Sequence, residues 1–168
     1  MYTIEQIEDA ICERLAVMLG VYSPLSGDDA VGEPTIWHSI RTIKSYQGEL
    51  DDEESIARVI RLLPAIFVMY AGSEYDDHGS RQVERMTYVC FVCDKSLRAE
   101  EEARRGGTQN PGAYAILNGI RDILTNSRLG LDIFPLSPRR ELPVWFGKGM
   151  SIYSAEYETA QALLYVGD

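Results

Sequence analysis

Cys90-Phe-Val-Cys93, Glu74-Tyr-Asp-Asp-His78, Gly147-Lys-Gly149 and a set of late arginines are the residues whose types and spacing invite chemistry. The first has the letters of a CxxC redox or zinc site. In an extended strand, however, residues three apart point to opposite faces, so the two sulfurs diverge. There is no second CxxC or histidine pair to complete a zinc shell. Cys90 and Cys93 therefore read as buried strand thiols and Cys12 as a helix thiol, an odd set that fits reduced cysteines without a disulfide framework. Glu74, Asp76, Asp77 and His78 offer oxygens and an imidazole to a cation, but without the spacing of a calcium loop. They read as a solvated hairpin tip. His38 stands alone. No serine or cysteine sits in a nucleophile elbow, and two histidines leave little room for a triad. Gly147-Lys-Gly149 lacks the Lys-Ser/Thr ending of a phosphate loop. Carboxylate pairs such as Asp51 and Asp52 abound, but nothing pins two of them into one pocket. No catalytic residue, cofactor or metal is expected.

What remains is charge and shape. The chain has 168 residues and a net charge of -10. Such a balance argues against gripping nucleic acid through its phosphates, which needs a basic footprint. It does not exclude surrounding nucleic acid without holding it. Residues 1–40 carry seven acids and one base (-6), residues 41–100 eleven and eight (-3), and residues 101–168 eight and seven (-1). Within the last part, residues 128–148 set Arg128, Arg139, Arg140 and Lys148 against Asp132 and Glu141, a local +2. Patches of opposite sign suit head-to-tail association of identical copies. Arg98, Arg104, Arg105, Arg139 and Arg140 are the candidate contact residues. The opening Met1-Tyr-Thr-Ile-Glu5 has neither a basic start nor an apolar stretch, so no secretion signal is expected, and no segment reaches membrane-spanning length.

The elements that must position these residues follow from periodicity. Thr3 and Gln6 form a capping box, and Ile4, Ile7, Ile11, Leu15 and Met18 recur at helical spacing up to Gly20. Residues 21–34 are turn chemistry, a long loop or insertion. Residues 35–47 carry a first strand. Asp51-Asp-Glu-Glu54 opens a helix that Pro64 ends. The apolar run from Pro64 to Gly72 predicts the central strand, buried on both faces. It pairs antiparallel with residues 83–94 around a loop at 72–82. The charged segment 98–109 is expected to be mobile. Asn110 and Pro111 open a second long helix with Tyr114, Ile116, Leu117, Ile120, Ile123 and Leu124 as its stripe. Leu129–Phe134 is a short strand, Pro135–Pro138 interrupts the pattern, and Leu142–Phe146 resumes it. After a tight turn at 147–149 the last strand runs from Met150 to Leu164, with Tyr153, Ala155, Tyr157 and Thr159 on one face. The order predicts one α+β domain over 1–168, a mostly antiparallel sheet with two long helices packed on it.

Several stretches resemble a known family. They are Tyr2-Thr-Ile-Glu-Gln-Ile-Glu-Asp-Ala-Ile11, Ser45-Tyr-Gln-Gly-Glu-Leu50, Leu63-Pro-Ala-Ile-Phe-Val68 with Gly72, Leu97-Arg98 with Glu101 and Arg104, Gly112-Ala-Tyr-Ala-Ile-Leu117, and Leu129-Gly-Leu-Asp-Ile-Phe-Pro-Leu136. In this order they are similar to the Mu-like phage and prophage tail-completion proteins. Residues 21–38 fit least and read as an insertion. The resemblance implies a tail-terminator-like fold and a hexameric ring. Such a ring caps the tail tube, joins it to head-completion or connector proteins and, in contractile tails, meets the sheath. It implies a place in the virion neck after assembly in the bacterial cytoplasm, with DNA passing through the ring unheld, and no catalytic residues. The competing expectations are a head-tail adaptor or tube-associated protein of the same particle, and a small metal-dependent hydrolase using the loop from Glu74 to His78.

Overall fold

The computed structural model describes residues 1–16, 40–77, 82–96, 100–106 and 111–163. The expected insertion at 21–38, His38, His78 and Arg98 lie outside them. The described elements are α1 (Ile4–Leu15), β1 (Thr42–Ser45), α2 (Glu53–Val59) with a 3-10 turn (Ile60–Leu62), β2 (Ala65–Asp77), β3 (Gln82–Lys95), α3 (Glu100–Arg105), α4 (Ala113–Leu124), β4 (Ser137–Gly147) and β5 (Met150–Leu163). The five strands form one sheet in the order β1-β2-β3-β5-β4. β1 runs parallel to β2, and every other pair is antiparallel. This is the α+β architecture expected.

Alternation along the strands divides the interior in two. On one face Ile66, Val68, Met86, Tyr88, Cys90, Val92, Tyr153, Ala155 and Tyr157 pack with Ile7, Ile11 and Leu15 of α1 and with Ile116, Ile120 and Leu124 of α4. On the other, Ala65, Phe67, Cys93, Met150 and Ile152 pack with Val59 and Leu63 beneath α2. Each fully buried Val, Leu or Ile contributes about 1.5–3 kcal/mol by leaving water. The two cysteines fall in different cores, as three-residue spacing on a strand requires. α1 starts on the expected capping box, Thr3 Oγ1 accepting from Gln6 N and Gln6 Oε1 from Thr3 N. Its described helical turns end at Leu15, and Met18 and Gly20 fall outside the described residues. Asp52 caps α2 by accepting from Ser55 N at 2.7 Å.

Several expectations are corrected. The apolar run at 64–72 lies in the second strand of the order; the middle one is β3, because β5 and β4 add beyond it. Ser73–Asp77 is not loop but continues β2, paired with residues 82–86 of β3 past a bulge between Tyr70 and Gly72. Within the segment 98–109, residues 100–105 form a helix with Ala103 fully buried, while 98–99 and 107–109 lie outside the described residues. α4 begins at Ala113 on Gly112, not on an Asn110 cap. Gly112 has φ +80, and a Cβ there would collide with the backbone of Arg105 and Gly106, so α3 and α4 meet at a contact only glycine permits. Its N–H donates to the fully buried Asp94 carboxylate at 2.7 Å. Leu129–Phe134 is not a strand: Leu129 and Gly130 both take positive φ and break the extension. Pro138, expected in a break, lies inside β4. The turn between β4 and β5 is as tight as expected, with Lys148 at φ +50 and Gly149 at φ +72, the double left-handed geometry that hairpins favour.

Candidate interface

β4 has no buried side chain along its eleven residues. It is an edge strand, and it carries two prolines. Pro138 stands opposite Tyr157 and Pro143 opposite Tyr153, positions four apart and therefore in phase on β5. Proline has no N–H to give, so it is tolerated where that group would face away from the partner strand. The outer rim of β4 thus lacks two donors in register, which blunts it against addition of a further strand. Its side chains are another matter. Leu142, Val144 and Phe146 are 43%, 48% and 42% exposed. Phe146 meets Tyr153 edge-on at 5.4 Å between centroids, and Tyr153 meets Tyr114 at 5.6 Å. The Tyr153 and Tyr114 hydroxyls are 3.3 Å apart. Burial, then the bond to Tyr114, pushes the Tyr153 phenol up to about 12. The Arg104 guanidinium lies over the Phe146 ring, 5.7 Å from its centre. Aromatic rings and an arginine held by their neighbours are the composition of a protein contact.

The candidate arginines fall into distinct settings. Arg104, half-buried on α3, is the member of this aromatic cluster. Arg105 is exposed and pairs with Glu101 one turn back at 3.3 Å. Arg139 pairs closely with Glu158 and Arg140 with Glu156 at 2.8 Å, both across to β5. Hydrogen bonding to Glu156 holds the Arg140 guanidinium above its ordinary range. Arg121 of α4 grips both oxygens of Glu141, at 2.9 and 2.7 Å. Arg139 and Arg140 are therefore matched in place by glutamates from β5, and Glu141 by an arginine from α4. Such half-exposed pairs are worth about 0–1 kcal/mol each and stitch the edge to its neighbour. Sequence reasoning brought Arg104 forward but missed Phe146, Leu142 and Val144 as contact residues, and it placed Tyr114 in a buried stripe although it is exposed. The available signal was an apolar stretch holding Pro143, which marks an edge.

The far end of the sheet presents a different surface. Gln161 Nε2 donates to Glu84 Oε2 at 3.0 Å, while Ser73 Oγ and Tyr75 OH donate to Glu84 Oε1 at 2.8 and 3.2 Å. Gln161 also bonds the N–H and carbonyl of Tyr2. This network ties β2, β3, β5 and the start of the chain together, which is why the acidic stretch is strand and not loop. Beside it lies a cavity of about 410 Å³ lined by Val83, Phe134, Pro135 and Ala160 with Asp76, Arg85 and Glu158 at its polar side. Phe134 is 57% exposed, yet its backbone is fixed: its N–H donates to Ala160 O at 2.8 Å, and the Thr159 hydroxyl donates to its carbonyl.

No group of three or more His, Cys, Asp or Glu capable of holding a metal occurs among the described residues. Asp76 is engaged with Arg85, and Glu74 stands one strand position from Tyr75, whose own hydroxyl serves Glu84. Burial pushes the Cys90 and Cys93 thiols well above their ordinary range, so they stay protonated.

No curated protein matches the chain. A structural likeness covers 97% of it and 100% of a chain from the virion of the native gene transfer agent particle, at 13% identity and a TM-score of 0.48, too distant to bear on function. The sequence pattern of one phage family, described as bacteriophage Mu, Gp37, matches residues 3–162. With nearly its whole length inside that match, the chain belongs to the bacteriophage Mu Gp37 family.

Proposed function

We propose that this chain is a structural subunit of a phage or phage-like tail, a terminator whose copies form a hexameric ring. The ring caps the tail tube, stops its growth and joins it to the head-completion proteins in the neck of the virion. The observation that carries the reading is the surface of β4 and α3. Phe146 is half-exposed yet held between Tyr153 and Arg104, with Leu142 and Val144 exposed on the same edge, which its prolines blunt against strand addition, a surface suited to docking. Membership of a phage family supplies the context. Arg104 is the foremost contact residue of this proposal. Arg105, Arg139 and Arg140 belong to the same proposed contact region, the last two by shaping β4, and Arg98, outside the described residues, is kept as a further proposed contact. Net charge of -10 suits a ring through which DNA passes without adhering.

Deleting the gene from its phage or prophage and imaging the particles tests the reading. Tails of uncontrolled length without attached heads are the expected result. Tails of normal length lacking heads would instead favour a head-tail adaptor, and normal particles would end both readings.

A further inference from the structure

The described surface bears two clusters of exposed apolar side chains at opposite ends of one strand pair. Leu142, Val144 and Phe146 are exposed on the second half of β4, where the bulge after Pro143 puts Leu142, opposite Ser154, and Phe146, opposite Ser151, on different faces of the sheet, so Phe146 is the one that stands with Arg104. The cavity containing Phe134, Pro135, Val83 and Ala160 lies beside Ser137, where β4 begins. Nine residues separate Ser137 from Phe146, about 25–30 Å along a strand. One cluster stands on an edge, and the other is concave. Their charges are also opposed. The strand ends around the cavity, residues 73–77 and 82–86, carry Glu74, Asp76, Asp77 and Glu84 against Arg85, a net -3, with Glu84 buried in its own hydrogen bonds and Asp76 paired with Arg85. Residues 142–148 carry Lys148 and no acid, and Arg104, stacked on Phe146, makes no ion pair to an acid among the described residues.

We infer that Phe146 at the β4 edge of one copy seats in the Phe134 cavity of a second copy, with Arg104 and Lys148 of the first facing the acidic strand ends of the other. This rests on the ring reading and assigns its subunit contact. The contact is heterologous: each copy gives one patch and keeps a different one free, so association continues until the rotation closes a ring. It proceeds through side chains, because the prolines of β4 withhold the donors that a continuous sheet between copies would need. The backbones of both patches are anchored, β4 on β5 and Phe134 on Ala160 and Thr159, so little order has to be imposed on binding.

The test uses the wild-type chain, Phe146→Glu and Phe134→Glu, each checked for a wild-type circular-dichroism spectrum and a cooperative urea transition, with masses measured by native mass spectrometry and light scattering. Both rings are exposed, so both variants are expected to fold; Phe146→Ser and Phe134→Ser serve if a charge disturbs folding. The wild type is expected to form a closed oligomer. Each variant alone is expected to be a monomer, its association weakened at least about 30-fold, as for a central contact residue. An equimolar mixture of the two is expected to give a dimer and stop there, because one intact edge and one intact cavity remain per pair. A variant that keeps the wild-type mass overturns the assignment, as does a mixture that stays monomeric. A wild-type chain that remains monomeric, or that uses Phe146 only to bind a different protein of the particle, overturns the second copy as occupant. In each of those cases overgrown tails on gene deletion would leave the terminator reading standing, and normal tails would remove it.

Discussion

β3 and β4 flank the same strand, β5, on its two sides, and both pair with it antiparallel. Beyond that they have little in common. β3 has β2 on its other side and a packed core against each face, and Met86, Tyr88, Val92 and Cys93 are fully buried. β4 has no strand beyond it among the described residues and buries none of its side chains. Its apolar residues are nonetheless as large as those of β3. The difference teaches where a given side chain spends its contact area. In β3 it is satisfied within the subunit and sets stability; in β4 it remains available, and the proposed subunit contact draws on it.

Substitutions should separate the two strands cleanly. The largest effect is expected in β3. Tyr88→Ala removes a fully buried ring whose hydroxyl donates to Ile4 O, and should cost about 3–5 kcal/mol in urea unfolding. The same variant should raise the alkylation rate of Cys90 and Cys93 by more than about 100-fold, since protonated, buried thiols react only through opening. A smaller loss, about 1–3 kcal/mol, is expected for Gly112→Ala, which forces a positive φ and a backbone collision where α3 meets α4. In β4 the effects on the monomer should shrink. Phe146→Ser should cost the monomer about 1 kcal/mol in urea unfolding, far less than Tyr88→Ala, because its ring is already partly in water and gives up only its contacts with Tyr153 and Arg104. The double change Arg139→Gln with Arg140→Gln should cost under about 1 kcal/mol, and the cost should fade in high salt. A Phe146→Ser subunit destabilised as much as Tyr88→Ala would erase the contrast between the strands.

Much of the architecture was legible because it depends on local pattern. The capping box of α1 uses side chains three residues apart, and the face shared by Tyr153, Ala155 and Tyr157 needs only the two-residue period of a strand. The divergence of Cys90 and Cys93 follows from the same period. Misreadings came where distant residues decide the conformation. Ser73–Asp77 has the composition of a loop and becomes strand by pairing with residues 82–86, where Glu84 accepts from the Ser73 and Tyr75 hydroxyls and is itself held by Gln161, far along the chain. Leu129–Phe134 has strand composition, but consecutive positive φ angles at Leu129 and Gly130 turn it, and Phe134 is instead pinned to β5. At the candidate interface, charge counted along the chain marked Arg139 and Arg140 as a basic patch. Their glutamate partners lie on another strand, which a count over neighbouring residues does not see.

By itself, the amino-acid order determined the α+β class, the two amphipathic helices, the antiparallel hairpin of β2 and β3, and the absence of a recognisable catalytic motif. These rest on side-chain type and on periods of two and 3.6 residues. Only the tertiary structure decided that β3 is the middle strand and β4 an edge, that Phe134 and Phe146 stand exposed on anchored backbone, and that Arg104 rests on an aromatic ring while Arg105, Arg139 and Arg140 are paired. Strand order and surface exposure are properties of which elements meet, and residues far apart along the chain settle that together.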